Sequence, residues 1–184
     1  MKEAQTLPSR QVLIEAGRDL SLEAGSAVRL TTEQITRAAN IPEPLFYALF
    51  SDQRTYLLAL MQYFLDLARA ESINAMSKSP IGLPRIFAAW VSYWDANLRW
   101  RPLRELAIHF KTDKEGSEIL RMRLAGVVMI AQHELKTIHW PHPAEVARLT
   151  AQMVVETAVA EFEAGHALPA MRESVLIYFK TPVQ

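Results

Sequence analysis

The residues with the most chemistry to offer lie in and beside one stretch, Leu30 to Phe50, LTTEQITRAANIPEPLFYALF. Arg29, Arg37 and Arg54 carry guanidinium groups that pair with phosphate oxygens, Thr31, Thr32 and Tyr47 carry hydroxyls that donate to them, and Gln53 adds an amide donor. Glu43 can accept from cytosine N4, a permitted though uncommon base contact. Together these groups could grip duplex DNA, provided the chain turns them to one side.

The sequence supplies the elements for that. Two short helical patterns meet across a tight Asn-Ile-Pro break. Thr31 and Thr32 can cap the first helix, Glu33 and Gln34 suit its opening turn, and Ile35, Ala38 and Ala39 form an apolar face at helical spacing. Asn40 tolerates a left-handed turn, and Pro42 and Pro44 stand where a second helix has no internal donors to lose. Phe46, Leu49 and Phe50 give that helix an inward face, leaving Glu43, Leu45, Tyr47 and Ala48 pointing away, with Pro42 at their edge. This is a helix-turn-helix pattern, and the outward residues are the ones expected to meet DNA.

Charge weighs against strong non-specific binding. Residues 1 to 54 hold six positives (Lys2, Arg10, Arg18, Arg29, Arg37, Arg54) and seven negatives (Glu3, Glu15, Asp19, Glu23, Glu33, Glu43, Asp52). Phosphate contacts from Lys and Arg supply most of the sequence-independent affinity, so placement on one face has to do what net charge does not.

From Arg10 to about Leu60 the chain resembles the TetR family of bacterial transcriptional regulators. The likeness rests on Arg10, Leu13, Ala16, Leu20, Glu23 and Gly25, then Ile35, Ala39, Ile41, Tyr47 and Phe50, and a polar cap at Asp52 that opens a long fourth helix. The departures fall in the second helix of the motif. The family usually has Ser or Thr at Pro42, often Lys at Glu43, Gly at Pro44, Thr at Leu45 and His at Ala48, and a Lys at Gln53, beside which this chain has Arg54. The resemblance implies a DNA-binding head over residues 1–51 and an effector-binding and dimerisation domain over 52–184. It also implies a palindromic operator bound by a homodimer, repression as the mode of control, and a fourth helix acting as the lever between effector and head. Two heads held about 34 to 36 Å apart would meet successive turns of one DNA face.

The remainder reads as all-α, about nine helices in total, with the ten prolines at or near helix ends. The fourth helix carries Leu57, Met61, Phe64, Leu65 and Ala68; the fifth, from about Leu83, has Phe87, Trp90, Val91 and Trp94 at three- and four-residue intervals. Pro102 starts a short sixth. A seventh, from about Glu115 to Ile138, is apolar over much of its circumference, which predicts burial. HWPHP ends it, an eighth runs to the natural cap Gly165, and a ninth spans about Pro169 to Phe179.

Helices five to seven offer large apolar groups for a pocket: Trp90, Tyr93, Trp94, Trp100, Phe110, Met122, Met129 and His133, which suit an apolar or aromatic small-molecule effector. Asp95 and Arg99, four residues apart, are expected to pair on the surface. The last two helices carry more apolar surface than one internal face uses. Met153, Val154, Thr157, Ala158, Phe162, Met171, Val175 and Phe179 are therefore the expected dimer interface. A chain without cysteine has no thiol nucleophile, disulfide or thiolate metal site, and His139 and His142 flank a proline rather than share a helix face. No metal, cofactor or enzymatic role is expected. The N-terminus has no apolar secretion segment and no run reaches the roughly 18 apolar residues of a membrane span, so a cytoplasmic setting without a membrane partner is expected. The alternative reading keeps the fold and ligand-binding or protein-binding bundle but dispenses with DNA.

Overall fold

The computed structural model describes residues 3–179, with side chains from residue 9 onward. Among these residues the chain is all α-helical. The helices are α1 (Glu3–Ala24), α2 (Thr32–Ala39), α3 (Glu43–Leu49), α4 (Gln53–Ser77), α5 (Leu83–Arg99), α6 (Arg101–His109), α7 (Lys114–Thr137), α8 (Pro143–Ala164) and α9 (Pro169–Tyr178). They divide into two compact units. One comprises the residues up to Leu65 with Trp100–Leu120, and the other comprises Asp66–Arg99 with the residues from Arg121 onward. The first unit, the head, thus takes in more chain than residues 1–51, because the start of α4 and all of α6 bury their apolar sides there.

In the head, α1 packs on α2, α3 and α6. Leu13, Ile35, Phe46, Phe50, Tyr56, Leu60, Leu103 and Leu106 fill the interior. Phe46, Phe50 and Tyr56 stack with ring centroids 5.1 to 5.5 Å apart, in the tilted and edge-on arrangements that aromatic quadrupoles favour. Tyr56 fits because Gly17 leaves space for it. A Cβ at Gly17 would sit 1.8 Å from the Tyr56 hydroxyl, which donates to the Leu13 carbonyl at 2.8 Å. Burial pushes the Tyr56 phenol well above its usual range, so it remains a neutral donor.

A second tie is the Glu105 carboxylate of α6, which accepts from Ser26 Oγ at 2.6 Å and from the Ala27 amide at 3.2 Å. It thereby satisfies donors in the connection between α1 and α2 that no helix ladder reaches.

In the second unit, the bundle, α5 packs on α8 and α8 on α9. Ile86, Trp90, Trp94, Ala131, Leu135, Ala147, Val154, Ala158, Val175 and Phe179 form its core. The Trp94 indole donates to the Val154 carbonyl at 2.9 Å, which satisfies a polar atom that would otherwise be buried without a partner. Glu161, also buried, accepts from the Arg172 Nε at 2.6 Å and from the Leu168 amide at 2.9 Å, and so fixes the start of α9.

Two expectations change. α7 is not largely buried: only Gly116, Ala131, Glu134 and Leu135 are, while Met122 and Met129 are 64% and 71% exposed. Its apolar residues exceed what one neighbouring face can cover. Asp95 and Arg99 do not pair, because longer-range partners win: Arg172 reaches Asp95 at 2.7 Å and Arg99 reaches Glu71 at 3.0 Å. His139 and His142 both take left-handed backbone conformations, φ 55 and 49, around the turn that ends α7 and starts α8.

Candidate nucleic-acid interface

The helix-turn-helix forms as its residues dictate. Thr31 is the N-cap of α2, and a capping box closes it: Thr31 Oγ1 accepts from the Gln34 amide at 3.3 Å, and Gln34 Oε1 accepts from the Thr31 amide at 2.9 Å. Asn40 ends α2 at φ 50, ψ 43, and its amide bonds back to the last turn. Pro42 and Pro44 open α3. At the far end Arg10 donates to the Leu49 carbonyl at 3.1 Å and lies 4.2 Å over the Phe50 ring, holding the C-terminus of α3 against α1.

The outward face of α3 is open. Pro42, Glu43, Pro44, Tyr47 and Ala48 are exposed, Leu45 is half-buried, and Phe46 points in. Around it the donors named from sequence have mixed fates. Arg29 and Thr31 are exposed, whereas Thr32 is buried as the first helical residue of α2. Arg37 is paired with Glu33 one turn earlier. Gln53 is turned inward, its amide donating to the Leu30 carbonyl at 2.6 Å.

Arg54 is the most constrained of the cations. It pairs with Asp113 at 2.7 Å and with Glu115 at 3.3 Å. The hydrogen bond to Asp113 raises the Arg54 pKa, and the same bond holds the Asp113 carboxyl below its ordinary range, helped by the Gly116 amide. Asp113 also caps α7, accepting from the Glu115 and Gly116 amides at 3.0 and 2.9 Å. Sequence reading missed this pair; the Asp three residues before Gly116 is a recognisable cap, but nothing local joins it to Arg54 across 59 residues. Asp52 likewise caps α4 by accepting from the Thr55 amide at 2.7 Å, which depresses its own pKa.

The residues expected to line one ligand pocket are dispersed. Trp90 and Trp94 are core side chains of the bundle, and Tyr93 packs against that core. Trp100 and Phe110 belong to the head unit, and Met122, Met129 and His133 lie on the exposed side of α7. One shallow hollow in the head, about 510 Å³, is lined by Gln53, Arg54, Leu57, His109, Phe110, Thr112 and Asp113. Another in the bundle, about 430 Å³, is lined by Ala75, Phe87, Ala88, Val91, Ser92, Asp95 and Arg99. Phe110 lines the first; the other seven expected residues line neither.

The residues of the expected dimer surface differ in burial. Val154, Thr157, Ala158, Val175 and Phe179 are buried within the single chain, because the bundle core consumes the face they share, while Met153, Phe162 and Met171 are half-buried. Among the described residues no three His, Asp or Glu converge as metal ligands, and no helix is long and apolar enough to cross a membrane.

No protein-family sequence model matches the chain, and no curated protein does. Solved structures do. A transcriptional regulator from Rhodococcus sp. Rha1 aligns over 91% of this chain and 92% of its own, with TM-score 0.74 and 16% identity. A TetR-family transcriptional regulator from Syntrophomonas wolfei aligns over 95% and 94%, with TM-score 0.70 and 14% identity. The reduced form of NemR from E. coli aligns over 96% and 98%, with TM-score 0.68 and 14% identity. These likenesses cover both units. The chain therefore carries the fold of the TetR-family transcriptional regulators.

Proposed function

We propose that this protein is a transcriptional regulator, acting as a repressor, that binds a palindromic DNA operator as a homodimer through α3 and its surroundings. The observation that carries the reading is the open outer face of α3, with Pro42, Glu43, Tyr47 and Ala48 exposed, on a turn and cap built as a helix-turn-helix requires. The fold shared with solved regulators supports it. Arg29, in the turn before α2, supplies an exposed cation, Thr31 and Tyr47 supply hydroxyls, and Glu43 and Leu45 are the candidates for base contact.

Arg37 and Arg54 contribute to phosphate binding only by exchanging Glu33, Asp113 and Glu115 for DNA oxygens. Affinity then comes from a small number of phosphate contacts and falls gently with salt. The bundle takes a small apolar or aromatic effector, for which the hollow lined by Phe87, Ala88 and Val91, with Ser92, Asp95 and Arg99 at its polar side, is the candidate. An effector that prefers one conformation of the protein changes operator affinity by the coupling free energy, typically about 1 to 3 kcal/mol.

The same ion pairs support a second reading, in which the head has stopped binding DNA and the protein is a ligand- or protein-binding relative of the regulators. Selection from random duplexes at low salt separates the two. A regulator enriches an inverted repeat, and its affinity for that repeat declines with salt concentration. Failure to enrich any sequence, with binding to duplexes no tighter than that of an uncharged helical protein, would leave the second reading standing.

A further inference from the structure

We propose that Asp113, with Glu115 beside it, is an autoinhibitory stand-in for a DNA phosphate: it occupies Arg54 in the free protein and holds the head's affinity for duplex below what its cations allow. The proposal rests on the DNA-binding reading above and adds a control to it.

Arg54 stands where a phosphate can reach it. Its neighbour Gln53 donates to the Leu30 carbonyl at 2.6 Å, which sets the first turn of α4 beside the start of α2, where Arg29 and Thr31 are exposed. The Arg54 side chain is 46% exposed and borders the shallow hollow of the head.

All three of its guanidinium nitrogens are nevertheless engaged. Nε donates to Asp113 Oδ2 at 3.3 Å and Nη2 to Asp113 Oδ1 at 2.7 Å, while Nη1 donates to Glu115 Oε2 at 3.3 Å. The first two bonds form the fork with which arginine grips a phosphate. A phosphate therefore has to displace a carboxylate from the same nitrogens.

Asp113 is fixed independently of Arg54. Its amide donates to the Phe110 carbonyl at 3.1 Å, and its Oδ1 accepts from the Glu115 and Gly116 amides at 3.0 and 2.9 Å. Gly116 lies so close to buried Phe110 that an added Cβ would stand 2.5 Å from the Phe110 carbonyl oxygen. The carboxylate thus keeps its place when Arg54 departs, and α7 stays capped. The cap needs an oxygen there and no charge, since Asn caps about as well as Asp. The charge acts on Arg54.

Two effects then lower DNA affinity. Arg54 must give up its ion pairs, and the two acids it leaves stand uncompensated beside the incoming phosphate. The pair of Arg37 with Glu33 exerts no such control. Its partners lie one turn apart on α2, 76% and 75% exposed, where water screens them.

The test is fluorescence anisotropy of a labelled random-sequence duplex of about 20 base pairs, titrated with the full chain from about 50 to 200 mM salt. Asp113→Asn, which preserves the cap, is expected to bind about two- to fivefold tighter than the wild type at the low-salt end. Its log affinity should fall more steeply with log salt, by about one unit of slope, because Arg54 now adds a phosphate contact. Glu115→Gln, whose side chain takes no part in the cap, should shift both readings the same way and by less. In an Arg54→Gln background both gains should vanish, whereas a general loss of negative charge would act there undiminished. A silent wild type beside a binding Asp113→Asn would be the strongest form of the expected result. A wild type that binds as tightly as Asp113→Asn and Glu115→Gln, or a gain that survives Arg54→Gln, would overturn the autoinhibition and leave the DNA-binding reading standing. No binding by any of these proteins, with helical circular dichroism intact, would overturn both.

Discussion

The large apolar side chains left in solvent are unevenly shared between the two units. The head exposes Val12, Leu22 and Tyr47, whereas the bundle exposes Ile73, Ile81, Val91, Met122, Val127, Met129, Leu149, Ile177 and Tyr178. Scattered apolar exposure is ordinary, but a helix with several such residues on one side marks a surface that can bury area against a partner. In the head the open face of α3 exposes Pro42, Glu43, Pro44, Tyr47 and Ala48, and Arg18, Arg37 and Arg54 are held in ion pairs. The function proposed above fits this contrast, with an apolar effector at the bundle and DNA at the head.

Mutations can test how far the two interiors also differ. The largest effect is expected from Trp94→Ala in the bundle. Loss of a fully buried indole and its bond to Val154 should cost about 3 to 5 kcal/mol, read as a lowered midpoint in urea. A loss below about 1 kcal/mol would mean that the bundle core is loosely packed around this residue.

In the head the ties are polar and smaller. Glu105→Gln keeps the shape but removes the charge that Ser26 and the Ala27 amide bind, which should cost about 1 to 2 kcal/mol and speed amide exchange at Ala27. Gly17→Ala forces the Tyr56 hydroxyl off the Leu13 carbonyl. The strain, about 1 to 3 kcal/mol, is partly offset by better helix propensity, about 1 kcal/mol, so a net loss near 1 kcal/mol is expected. Gly17→Ala should cost less in a Tyr56→Phe background than in the wild type, because the closest clashing atom is gone while the ring carbon at 3.0 Å remains.

The smallest effect concerns pH and belongs to the head alone. Asp52 and Asp113 have folded-state pKa values below their ordinary 3.8, Asp52 chiefly through the Thr55 amide and Asp113 chiefly through Arg54. Each therefore contributes stability that is present above that ordinary value and is lost as pH falls through the depressed one. Thermal melts between pH 6 and pH 3 should show the wild type losing more stability than Asp113→Asn. Equal losses would show that the Arg54 pair does not stabilise the head.

Much of the head was legible because its signals are local. A capping threonine, a left-handed asparagine, prolines at a helix start and an aromatic at i and i+4 each state a backbone conformation within a few residues, and Thr31, Asn40, Pro42, Phe46 and Phe50 behave accordingly. The helix boundaries in the bundle followed from proline and glycine for the same reason.

What each apolar face touches was not legible. Trp94 and Met129 both sit at helical spacing among apolar neighbours, yet one is sealed in a core and the other is in solvent. Val154 and Phe179 look as available to a partner as Met122 does, and are consumed within the chain. Periodicity tells which residues share a side of a helix, and the sequence alone determined that much, together with the caps and turns. Which side is covered, and whether Arg54 spends its charge on Asp113 or leaves it for phosphate, depends on elements tens of residues away being brought within a few ångströms, and only the tertiary structure decided it.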